Sequence, residues 1–190
     1  MAKTLSTMLP LGTLAPDFKL PDTDGKLVAR DDFRGTAGLL VIFMCNHCPY
    51  VKHIAPKLAE FGRQYEGRLS IVAINSNDAD AYPDDGPDKM VVERAKQGYV
   101  FPYLFDQDQS VAKAYRAACT PDFFLFDKDK RLVYRGQFDA SRPNSGIAVT
   151  GEDLAGAVNA LLNGSPITAD QKPSMGCNIK WKPGNEPRWN

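Results

Sequence analysis

The chain lacks any excess of charge, any long apolar run and any wealth of cysteine. Each absence removes a class of function. Its 190 residues hold 23 Lys+Arg against 23 Asp+Glu, a formal net charge of zero. Nothing in that balance draws nucleic acid or an anionic membrane surface by bulk electrostatics. The strongest apolar stretch, residues 38–44, is far short of the roughly 20 residues that a membrane helix needs. Four cysteines are too few for a disulfide-stapled scaffold, and there are only two histidines. The first fourteen residues carry one lysine, and Ser6, Thr7 and Pro10 interrupt their apolar character. They do not read as a secretory leader. The expectation is a soluble cytoplasmic protein, where closely spaced cysteines rest reduced and serve catalysis or metal binding.

What is present is an average globular composition, 43% hydrophobic and 24% charged, enough for one domain with a real core. Residues 18–21 and 26–29 flank Asp22-Thr23-Asp24-Gly25, which predicts a β-hairpin. Residues 39–43 and 69–74 are continuous apolar runs of the kind buried on both faces of a sheet. Pro49 suits the first turn of a helix, along which Val51, Ala55, Leu58, Phe61 and Tyr65 recur at helical spacing. An aspartate-rich segment (Asp78, Asp80, Asp84, Asp85, Asp88) reads as a solvated connection ahead of a helix over about 88–97. Further on the pattern predicts a short strand at 102–106 and a helix capped by Ser110. A second hairpin follows, built from 123–126 and 131–135, and then an amphipathic helix closed by Asn163-Gly164. Strands alternating with helices argue for an α/β protein: a central mixed sheet with helices on both faces and a hairpin at the N-terminus. The domain is expected over 1–164. Residues 165–190, with Trp181, Trp189 and Cys177, form an extension too rich in tryptophan for a disordered tail and expected to pack on the domain.

Chemistry concentrates in Cys45-Asn46-His47-Cys48, between a buried strand and a helix start. Two cysteines three residues apart can close a disulfide, and a helix N-terminus stabilises a thiolate. His47 between them can add positive charge. Cys119 reads as a buried thiol or a relay member. Cys177 reads equally as a third redox thiol or an inert one. The two cysteines with His47 or His53 are also a ligand set for copper or zinc.

This segment, continued through Ile54-Ala55-Pro56 to Tyr65-Glu66-Gly67-Arg68-Leu69, resembles the strand, active site and helix of the thioredoxin-like superfamily. Thr120-Pro121 followed by Phe123-Phe124-Leu125-Phe126-Asp127 resembles its cis-proline loop, which faces the dithiol. Ala15-Pro16-Asp17-Phe18 and the hairpin are similar to the redoxin and peroxiredoxin branch, of alkyl hydroperoxide reductase/thiol-specific antioxidant type. The resemblance spans about 12–164. It implies a thioredoxin-like fold, no cofactor, a cellular thiol reductant as partner, and a tendency to form homodimers. The gapless match implies Cys48 as the attacking thiol and Cys45 as its partner; an ordinary C-x-x-C reading implies the reverse. Thr120 and Pro121 would offer backbone to a substrate strand.

The thioredoxin acid is replaced by Ile42 and the peroxiredoxin threonine by Cys45, and the peroxiredoxin arginine position falls near Cys119-Thr120. Arg116 and Arg135 are candidate substitutes for it. The leading expectation is therefore dithiol–disulfide exchange with protein or small-molecule disulfides. A peroxidase with Cys48 peroxidatic, and a copper- or zinc-binding module, are the alternatives.

Overall fold

The computed structural model describes residues 3–188. The strands β4 (Gly38–Phe43), β5 (Ser70–Asn75), β6 (Tyr103–Phe105), β8 (Asp122–Asp127) and β9 (Leu132–Gly136) form a five-stranded sheet at its centre. Their order is β6-β5-β4-β8-β9. β4 runs parallel to β5, and β5 to β6, while β8 lies antiparallel to both β4 and β9. The sheet is therefore mixed.

Side chains alternate across a strand, so each apolar run feeds two cores. Leu40 and Ile42 of β4, Ile71 and Ala73 of β5, and Phe123 and Leu125 of β8 point to one face. There they meet Val51, Leu58 and Tyr65 of α1 (Pro49–Tyr65), Met90 of α2 (Pro87–Gln97), and Leu154 and Val158 of α4 (Glu152–Leu162). Leu39, Val41, Phe43, Val72, Ile74, Phe124 and Phe126 point the other way. They meet Val111 and Ala112 of α3 (Ser110–Ala114) and Phe18, Leu20 and Val28 around the hairpin β2 (Lys19–Pro21) and β3 (Leu27–Ala29). Helices thus cover both faces. Ser110 is the first helical residue of α3 rather than its cap. Gln109 precedes it with φ of 64°, and the helix ends at Ala114. Tyr115 then turns inward, fully buried against Phe43 and Phe124.

A second sheet stands beside the first and is absent from the sequence reading. It joins β1 (Lys3–Leu5), β10 (Met175–Asn178) and β7 (Cys119–Thr120) in the order β1-β10-β7, all antiparallel. Beyond β10, Ile179 and Lys180 are buried and Trp181 packs against the second core. Trp189 lies outside the described residues. Among those described, no helix is long and apolar enough to cross a membrane.

Candidate active site

β4 ends at Phe43 and α1 begins at Pro49, so the intervening loop carries Cys45, His47 and Cys48 at the C-terminal end of the central strand. Cys48 is the N-cap of α1: its φ, ψ of −65°, 125° are extended, and its carbonyl accepts the first helical bond from Lys52 N–H at 3.0 Å. Pro49 at the first helical position has no N–H to orphan. Both cysteines are buried, and all four cysteines of the chain are free thiols.

Thr120 joins the pair from across the site. Its carbonyl accepts from the Cys48 thiol at 3.1 Å, and its hydroxyl lies 3.5 Å from Cys45 Sγ. The Thr120–Pro121 peptide is cis. The two thiols are driven in opposite directions. A hydrogen bond from Cys45 pulls Cys48 well below the ordinary thiol range. It outweighs burial, with help from Thr120, the Val51 N–H and the Cys177 thiol. Cys45 is pushed up by the same bond to Cys48, by burial and by the negative charge of Asp85. Cys48 carries its proton to the Thr120 carbonyl, and of the two thiols it is the one that ionises more readily, leaving Cys45 as the protonated neighbour.

Asp85 is the residue that sequence reasoning missed. The aspartate-rich segment reads as solvated, yet Asp85 is fully buried. Its carboxylate accepts from Asn46 N–H at 2.9 Å, His47 N–H at 3.2 Å, Asn77 Nδ2 at 2.8 Å and His47 Nδ1 at 2.5 Å. Burial alone would raise its pKa. The bonds from His47 and Asn77 reverse that and hold it below the usual carboxylate value. Asp85 thus fixes the backbone of the loop between the cysteines. The His47 ring pairs with Asp85 and stacks on Tyr82 at 5.5 Å. No run or period signals this role; only the fold brings Asp85 to residues 46 and 47.

Cys119 is buried in β7, its thiol 3.6 Å from the Pro121 carbonyl, and burial pushes its pKa up. His53 pairs with Ser141 at 3.0 Å rather than joining the cysteines. Arg135 is committed to Leu9 O and Gln171 Oε1. The backbone edge that Thr120 was expected to offer a substrate is already taken: Cys177 pairs with Thr120, and Asn178 with Cys119.

The metal-ligating side chains that converge among the described residues are Cys45, His47 and Asp85, with ligand atoms within 4.8 Å of one another. Cys48 is outside that group. The 2.5 Å between His47 Nδ1 and Asp85 is a hydrogen bond, far closer than two atoms each about 2.0–2.2 Å from one tetrahedral zinc. These residues do not fit a metal as they stand.

Residues 11–135 match the AhpC/TSA family. The chain belongs to the AhpC/TSA family. This AhpC/TSA protein is 29% identical to the thiol-disulfide oxidoreductase ResA of Geobacillus thermodenitrificans, over 68% of its own length and 70% of that protein's. It is 31% identical to a Mycobacterium tuberculosis protein named as a peroxiredoxin, over 60% and 68% of the two chains. The solved structure of an uncharacterized conserved protein from Geobacillus kaustophilus is similar, with TM-score 0.94 and 52% identity over 97% of this chain and 98% of that one. More distant solved structures of thiol-disulfide exchange proteins share the thioredoxin-like fold.

Proposed function

We propose that this AhpC/TSA protein is a thiol–disulfide oxidoreductase in which Cys48 attacks and Cys45 resolves. The observation that carries the reading is the position of Cys48 as the N-cap of α1, beside the cis Thr120–Pro121 peptide, with Cys45 three residues before it. The Cys48 thiolate attacks a disulfide R–S–S–R′, forms Cys48–S–S–R and expels R′–S⁻. Cys45 then gives up its proton and attacks the Cys48 sulfur, R–S⁻ leaves, and a Cys45–Cys48 disulfide remains. A cellular thiol reductant returns the pair to dithiol. Because Cys48 is buried, an external disulfide reaches it only when the segments covering it move. Trapping of mixed disulfides decides the assignment. In chains that also carry Cys177→Ser, Cys45→Ser accumulates adducts on Cys48, whereas Cys48→Ser accumulates none; the reverse pattern would make Cys45 the nucleophile.

The same reading expects the protein in the cytoplasm, where closely spaced cysteines rest reduced. It also includes a homodimer. Cell fractionation and sedimentation test the two points.

A peroxidase is the second reading, favoured by the relative named as a peroxiredoxin and by the Cys48-Pro49 sequence. Here Cys48 becomes a sulfenic acid as the peroxide is reduced to an alcohol or water, and Cys45 expels water to form the same disulfide. Peroxide consumption with a dithiol donor separates the two. A rate no better than that of a free thiol removes the peroxidase.

A further inference from the structure

Strand β10 covers the site more closely than a passing tail would. A Cβ on Gly176 would stand 1.9 Å from the Thr120 carbonyl oxygen and 2.5 Å from its carbon. Only glycine lets the strand press on that peptide. The next residue, Cys177, is the register partner of Thr120. Thr120 is also the residue whose carbonyl meets the Cys48 thiol at 3.1 Å. Cys48 and Cys177 are both buried in the same apolar cluster. The strand is pinned on both sides. Ser6 N–H donates to Ser174 O at 2.9 Å and Ser174 Oγ to Gly136 O at 2.8 Å. Ile179 N–H donates to Ala118 O at 3.2 Å and Lys180 N–H to Asn77 Oδ1 at 2.9 Å. β10 occupies the edge on which a substrate strand would pair, and it presents a cysteine there.

We propose that Cys177 is a third redox thiol, and that the chain's own C-terminal strand is a disulfide partner of Cys48. The proposal rests on the thiol–disulfide reading of the site. Its step is an exchange without net oxidation. The Cys177 sulfur attacks the Cys48 sulfur of the Cys45–Cys48 disulfide, the Cys48–Cys177 bond forms, and Cys45 leaves. The proton of Cys177 passes to Cys45. Burial pushes the Cys177 thiol up to about 12, and the site likewise favours a protonated Cys45, so the proton moves between two groups that both hold it. The product ties β10 covalently to the start of α1 and frees Cys45. An adduct on Cys48 can likewise be resolved by Cys177 when Cys45 is absent.

The test uses the full chain with oxidised glutathione as the disulfide. Cys45→Ser is treated with it, the remaining thiols are blocked, and non-reduced digests are read by mass spectrometry, with thermal melts confirming that each variant is folded. Glutathione first adds to Cys48, and Cys177 then displaces it. A Cys48–Cys177 linked peptide is the expected product. The double variant Cys45→Ser/Cys177→Ser instead keeps glutathione on Cys48, with a lifetime longer by about tenfold or more. Absence of the linked peptide in folded Cys45→Ser overturns the proposal. Wild-type protein in the same buffer separates the two levels. If it forms the Cys45–Cys48 disulfide, the reading of the site stands and only the role of Cys177 falls. If it forms neither disulfide, both fall.

Discussion

A carboxylate enters a protein interior at low cost only when donors surround it, and Asp85 has four of them on the loop and on Asn77. Replacing it with asparagine turns an amide N–H₂ toward groups that themselves donate. Asp85→Asn is therefore expected to destabilise the fold by about 1–3 kcal/mol, the cost of a buried unsatisfied donor. A urea midpoint equal to that of the wild type would count against this account of the loop. Cys48 supplies the second residue-scale prediction. Its folded pKa is depressed, so the folded protein keeps the thiolate far below the unfolded value of roughly 8.5. The stability this group contributes is fully present above the unfolded value and is lost as pH falls through the folded one. Alkylation of Cys48 by a small reagent is thus expected to be nearly flat from about pH 6 to 9, while the denatured chain's rate climbs steeply over the same span. A native rate rising in parallel with the denatured one would show that Cys48 is an ordinary thiol. The cysteine pair was legible because its spacing and its place between strand and helix are local. Asp85 was not, because its neighbours Asp80, Asp84 and Asp88 are exposed and its own burial depends on a loop distant in sequence.

The elements divide along the same line. β4, β5 and β8 could be read directly, since strands buried on both faces carry continuous apolar runs, here residues 39–43, 71–74 and 123–126. The N-terminal hairpin carried its turn residues, and α1 its helical period. β1, β7 and β10 left no trace: they are two to four residues long and, unlike the equally short β2 and β3, no turn signature joins them to a neighbour. β10 reads Met-Gly-Cys-Asn, with no alternation and a glycine that weakens strand propensity. That glycine is there for its missing side chain, and it provides the test of the element. Gly176→Ala puts a methyl into the Thr120 peptide. Overpacking of this kind costs about 1–3 kcal/mol, and relief comes from lifting β10 off β7. The variant should melt earlier and, because Cys48 loses its cover, react faster with an aromatic disulfide reagent at equal pH. Earlier melting with unchanged Cys48 reactivity would mean that β10 does not control access.

At the scale of the whole chain, the zero net charge hides an acidic segment after β5 and a basic stretch after β10, and the fold lays one on the other. The ion pair between Lys182 and Asp80 is exposed at 3.4 Å and contributes little. The buried polar bonds matter more. Asp78 N–H donates to Lys180 O at 2.8 Å, and Gln109 Nε2 donates to the same carbonyl at 2.8 Å while its Oε1 accepts from Lys182 N–H at 2.8 Å. Cys177 is buried in one core and Ile179 in the other, so residues near the C-terminus close both faces of the sheet. Removing residues 165–190 would bare that apolar surface and leave Asn77 and Gln109 without these partners, each loss worth about 1–3 kcal/mol. Domains hold only about 5–15 kcal/mol in total, so the shortened chain is expected not to fold stably. Hydrogen exchange on the intact protein reads the same point without a truncation. The amides of Ile179 and Lys180, both engaged in backbone or side-chain bonds, should exchange as slowly as those of β4. If they exchange orders of magnitude faster, β10 and its flanks open independently of the domain. The cover over Cys48 would then be a strap that lifts while the sheet beneath it stays intact.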